Sequence, residues 1–262
     1  MIKSLKLFTT AAIIAISGTG CEKKPVTTTT PVTTPTQNEV HFNFENYFGN
    51  DEIALGTGTY TTSQSEQITL NTFNYWITNI KLVKSDGTEF TEAESYRLLR
   101  GDKHATMHFH LANVPAGTYT GIKFMIGVDI ARNTGGAQTG ALDPTVNGDM
   151  FWSWSTGYIQ AKLEGTSPQS TLANNLVTYH IGGVAPGKET PRNVTLSFGK
   201  DMVVGAQAGS IKIKADAAKW FGPGNPIIIK DSPNSTHGGG PVSIKIADNY
   251  QHMFSITTVG NE

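Results

Sequence analysis

Apolar and polar residues alternate one for one along much of the chain. Val40, Phe42 and Phe44 are separated by His41 and Asn43, while Tyr75, Ile77, Asn79 and Lys81 alternate with Trp76, Thr78, Ile80 and Leu82. Ile122, Phe124, Ile126 and Val128 likewise alternate with Gly121, Lys123, Met125 and Gly127. Shorter runs of the same kind occupy residues 158–163, 177–181, 194–198, 210–215 and 226–229. A period of two sends successive side chains to opposite faces of a strand. Many short strands parted by Gly, Asn and Pro turns predict an all-β fold, an antiparallel β-sandwich with Greek-key-like connections. Helical spacing occurs in residues 242–254, where Ile244, Ala247, Tyr250 and Phe254 predict a short C-terminal helix.

Two stretches depart from that alternation before the domain begins. Lys3 and Lys6 precede an apolar run from Leu7 to Ile16, followed by Ser17, Gly18, Thr19 and Gly20. About ten apolar residues fall short of the ~20 that a membrane-spanning helix needs, so residues 1–20 read as a secretory signal. Cys21 follows the small residues directly and resembles the lipidated cysteine of a bacterial lipobox, with Gly18 where Leu or Val is more usual. Residues 21–38 are rich in Thr and Pro and have almost nothing to bury, as a solvated tether would. Together these features predict a cell-envelope protein held at a membrane by a lipid on Cys21, in the periplasm or at the outer membrane and cell surface. Residues 39–262 then form the folded domain, long enough for one sandwich and without an internal repeat.

Within the domain one connection is long. Residues 131–149 are mostly Asn, Gly, Thr, Ala and Pro, and loops of that length in a compact domain are usually functional or disordered. Asp129 and Arg132 at its start, and an aromatic cluster at its end, predict an ordered loop in which Asp129, Arg132 and Asp143 satisfy backbone polar groups.

Charge and cysteine content narrow the chemistry. Twenty basic against 21 acidic residues leave a net charge of −1, which excludes a nucleic-acid binder driven by phosphate neutralisation. The single cysteine excludes an intrachain disulfide and a thiolate cluster, so a metal would rest on His, Met or oxygen donors. The chain has no Gly-x-Ser-x-Gly elbow and no phosphate-binding glycine loop, so it does not read as an enzyme.

Histidine and tryptophan remain as the residues able to carry chemistry. His104, His108 and His110 have even spacing, which on one strand would put all three on one face and Ala105, Met107, Phe109 and Leu111 on the other. A His-x-His pair on an exposed strand can share a metal or lend one ligand to a site completed elsewhere. His41 shares the polar face of Asn43. His180 sits among apolar residues and a glycine pair, His237 precedes three glycines, and His252 falls in the expected helix. Trp152 and Trp154 would point the same way from an extended backbone, as core anchors, a stacking platform or redox-active rings.

Several blocks resemble one family. Phe73-Asn-Tyr-Trp-Ile-Thr-Asn-Ile80 is similar to a strand of the MbnP-like family, copper-binding proteins associated with methanobactin systems. Val114–Tyr119, Ile126–Asp129, Thr139–Pro144, Met150–Tyr158, Tyr179–Gly183 and Ile246–Asn249 with Met253 and Phe254 follow in the family's order. The resemblance spans roughly Val40 to Phe254. It implies copper binding outside the cytoplasm through two imidazoles, here His41 and His110. In some members it also implies a kynurenine made from Trp by a partner resembling di-haem cytochrome c peroxidases. Those members carry Trp two residues before the first His, where this chain has Glu39. The resemblance therefore leaves three readings open: a site completed by His108, a site completed by the Glu39 carboxylate, or a fold retained without the site. Trp152 and Trp154 are the corresponding candidates for oxidation.

Imidazole suits copper, and Cu(II) outranks the other divalent first-row metals at such donors. The competing expectation is a glycan-binding surface module that stacks sugar on Trp152, Trp154 and Tyr158. A structural sandwich that joins a partner through a sheet edge is a third.

Overall fold

The first strand of the domain, β1 (Val40–Phe48), buries Val40, Phe42 and Phe44 and turns His41, Asn43 and Glu45 toward the other face. A computed structural model describes residues 38–261, apart from 137, 155, 156, 223 and 237. The signal segment, Cys21 and His237 lie outside the described residues.

The remaining strands follow in chain order: β2 (Asp51–Glu52), β3 (Thr59–Thr61), β4 (Gln67–Lys84), β5 (Glu89–Thr91) and β6 (Tyr96–Arg100). Next come β7 (His108–Leu111), β8 (Gly117–Ile126), β9 (Phe151–Trp152), β10 (Gly157–Tyr158), β11 (Ala161–Thr166) and β12 (Leu176–Ile181). β13 (Arg192–Val204), β14 (Gly209–Asp216), β15 (Asn234–Ser235) and β16 (Phe254–Asn261) complete them. Helix α1 (Ile130–Thr134) lies between β8 and β9, and α2 (Pro241–Tyr250) between β15 and β16.

Two sheets carry the fold. The smaller has the order β16-β14-β1-β2, with β7 also paired to β1. The larger runs β13-β8-β4-β11-β12-β15, with β3, β5 and β6 paired along the 18-residue β4. Their inner faces meet in one core, where Phe44 and Phe254 of the smaller sheet pack edge-on against Phe124 and Tyr75 of the larger at 5.0–6.4 Å between ring centroids. The expected all-β sandwich with a short helix is what forms. It is mixed rather than wholly antiparallel, because β1 runs parallel to β14 and β12 parallel to β15. Parallel pairing needs a long crossover instead of a turn, so no local motif marks it in the chain.

β4 is buried on both faces, and its alternation separates two cores. Tyr75 and Ile77 enter the sandwich core; Trp76 enters a second cluster with Leu98, Val128, Leu142, Met150, Trp152, Tyr158 and Ile159. The long loop covers that second cluster. Along it lie α1 and two short 3-10 turns at Gly140–Leu142 and Gly148–Met150. Midway along β4, Asn79 adopts φ 55°, a left-handed conformation that Asn tolerates, where the pairing with β8 shifts register.

Three local expectations need correction. Residues 226–229 form no strand: the buried Glu66 carboxylate accepts the backbone N–H groups of Ile229 and Lys230 at 2.6 and 2.9 Å, replacing a ladder. The helix ends at Tyr250, so His252 lies in the turn after it and Phe254 opens β16. His104 is not on the strand of His108 and His110, since residues His104–Thr106 form a 3-10 turn and Ala105 is exposed.

Candidate metal centre

β1 is flanked by β7 on one side and β14 on the other, and the registers align their polar residues in rows. His41 stands directly opposite His110 on β7 and Ser210 on β14. In the next row Asn43 stands opposite His108 and Lys212. Directly opposed residues on neighbouring strands hold their Cβ atoms ~4.5–5.5 Å apart, which is why two histidines distant in the chain become neighbours. Phe42 and Phe109 stack at 5.0 Å beneath the rows and hold β7 to β1. These residues line a concavity of about 370 Å³.

The His41 and His110 ring centroids are 6.1 Å apart, with the planes inclined at 59°. Two imidazoles bound through nitrogen to one ion at ~2.0–2.1 Å have centroids about 6.4 Å apart when they face it from opposite sides, so this spacing fits a shared ion only with the two donors on nearly opposite sides of it. Glu39 Oε2 lies 3.3 Å from His41 Nε2. A carboxylate on a ligating imidazole fixes the ring's orientation and raises its basicity. Among the described residues no group of three or more His, Cys, Asp or Glu side chains converges, so an ion here would keep open coordination positions.

His108 lines the same concavity as His41 and His110. Its Nε2 lies 3.1 Å from His104 Nε2. Burial, and then the neighbouring His104, hold its proton affinity below the ordinary histidine value. The i, i+4 spacing of these two residues was visible in the chain; the 3-10 turn that closes it was not.

The other candidates lie elsewhere. Trp152 is 6% exposed and Trp154 73%, because β9 ends at Trp152 and the chain turns, so the two indoles are not exposed side by side as the alternation implied. Tyr158 is also buried; its hydroxyl donates to Leu142 O, and burial pushes its pKa up to about 12. Two of the three rings of the expected sugar platform are thus largely buried, while Trp152 and Trp154 still line one concavity of about 380 Å³ with Phe151 and His180.

Asp129 caps α1 by accepting Arg132 N–H at 3.1 Å and takes the Tyr96 hydroxyl at 2.6 Å. Arg132 pairs with Glu94 and lies over the Tyr96 ring, while Asp143 accepts Thr145 N–H at 2.8 Å. His180 Nε2 is 2.7 Å from Glu164 Oε1 on the larger sheet.

Comparisons with known proteins agree with this architecture. The family model MbnP matches residues 37–238. No curated protein matches the chain. Among solved structures, MbnP from Methylosinus trichosporium is similar with a TM-score of 0.54 at 15% identity, covering 79% of this chain and 82% of that one. At that identity the likeness is one of fold.

Proposed function

This chain belongs to the MbnP family, and from that premise we propose that it is an extracytoplasmic copper-binding protein of copper homeostasis, anchored by a lipid on Cys21. His41 and His110 hold the ion, and the observation carrying this reading is their direct opposition across β1 and β7 at 6.1 Å. Neutral imidazoles supply the donors. Glu39, one contact from His41, orients that ring and offsets the ion's charge, a place that a modified tryptophan takes in the family members this chain resembles. Bound copper supplies an open coordination position for exchange or delivery. The surrounding residues keep the donors fixed, since Phe42 and Phe109 pin the strands on which they stand.

A di-haem peroxidase-like partner belongs to the same reading. Its target here is Trp154, the exposed indole, rather than Trp152.

Titration of the full chain with Cu(I) and Cu(II) tests the proposal. Tight binding by the native chain, with at least tenfold loss in His41→Ala/His110→Ala, supports it. Equal binding by both, or none by either, overturns it.

A further inference from the structure

The His104 and His108 pair supplies neither of the two imidazoles proposed above to hold copper. Both rings are exposed, they belong to different elements, and yet their Nε2 atoms stand 3.1 Å apart with ring centroids 4.4 Å from each other. Two nitrogens at that separation subtend about 98° at an ion bonded to both at ~2.0–2.1 Å. That angle falls between the square and tetrahedral values, so the two nitrogens are spaced to hold one ion once the proton between them moves to an Nδ1.

The surroundings leave the pair accessible. Lys212, the cation in the row of His108, has its Nζ 3.9 Å from Oε1 of Glu45, two residues farther along β1, so an anion stands beside that cation. The short turn is anchored from below. Thr106 Oγ1 accepts Arg100 N–H at 2.8 Å and donates to Lys103 O at 2.8 Å, which sets where His104 stands relative to β7.

We propose that His104 and His108 form a second metal site, a two-imidazole chelate for a late first-row divalent cation such as Cu(II), Ni(II) or Zn(II), separate from the His41–His110 pair. Imidazole donors select this class over Mg(II) or Ca(II), and two protein ligands leave the remaining positions to water. His110 is the second residue after His108 along β7, so the two sites lie on the order of 7 Å apart on one face. A surface ion held loosely at that distance would be positioned to feed the neighbouring pair.

The experiment uses a background in which the first site is removed. The full chain carrying His41→Ala and His110→Ala is dialysed against Cu(II), and the same chain with His104→Ala added is measured beside it. One ion bound by the double variant and lost at least tenfold in affinity by the triple variant supports the proposal, whatever the first site does. No ion on the double variant, or equal binding by both, overturns it and leaves the 3.1 Å contact as a hydrogen bond between rings. With both sites intact and two equivalents of Cu(II), dipolar broadening of the electron paramagnetic resonance spectrum is expected and should vanish in His104→Ala. Broadening that survives His104→Ala likewise overturns the assignment, and both rings are exposed enough that these variants retain the fold.

Discussion

Glu39 Oε2 lies 3.3 Å from His41 Nε2, two residues away and just before β1 begins, with the carboxylate side chain 20% exposed. Its contribution is orientation and charge, so Glu39→Gln keeps the shape and removes the anion. Copper affinity should fall by roughly 10–100-fold, the range for losing a carboxylate behind a ligating histidine. An affinity within twofold of native in a competition titration would remove Glu39 from the centre.

Phe109 separates His108 from His110 and presses into the molecule. It stacks on Phe42 and Phe44 at 5.0 and 5.9 Å, with the Arg97 guanidinium 4.5 Å from its ring centroid. Phe109→Ala loses a half-buried aromatic ring and should cost about 2 kcal/mol. In a domain of this size that lowers Tm by roughly 4–8 °C in a thermal melt. Copper affinity should fall as well, because β7 loses its attachment under His110.

The hydrogen bond with His180 holds the Glu164 carboxyl down to about 2 from 4.5, with Lys162 and Thr72 adding to it. A carboxyl depressed in the folded state contributes stability above its unfolded value and loses it as pH falls toward the folded one. Glu164→Gln should therefore be less stable than native at neutral pH. The gap should close as pH drops from 4.5 to about 2, as denaturant unfolding at several pH values will read. A gap independent of pH would show the pair to be inert.

A Cβ on Gly165 would sit 2.1 Å from the backbone oxygen of Thr69, at the irregularity where β11 shifts register on β4. Backbone cannot yield as a side-chain tip can, so Gly165→Ala should cost about 2–3 kcal/mol. Gly148, with nothing within 4 Å of its added Cβ, serves as the comparison, and Gly148→Ala should stay within about 0.5 kcal/mol of native.

Exposure orders the tryptophans toward oxidants. Trp154 is 73% exposed, Trp152 6%, and Trp76 and Trp220 fully buried. Peptide mapping after peroxide treatment should find Trp154 modified first. Earlier modification of Trp76 or Trp220 would mean that the cores open more readily than their packing allows.

Much of the architecture was legible because burial follows the pleat. Alternation at Val40, Phe42 and Phe44, and again across Ile122–Ile126, marks strands whose inner faces the structure does bury. It failed where a side chain replaced a ladder, as Glu66 does for Ile229 and Lys230, and where a turn broke an apparent strand, as at His104 and Trp154. The parallel β1–β14 pair was invisible, its partners being separated in the chain by nearly all of the larger sheet.

The chain by itself determined which faces are apolar, hence that strands form and that His41 and His110 stand on polar faces, because side-chain direction has a period of two. Only the tertiary structure decided that these two residues are opposite one another, that Glu39 leans on one of them and that His104 closes on His108. Strand register and the placement of a turn are settled by the packing of distant segments, to which no stretch of local sequence has access.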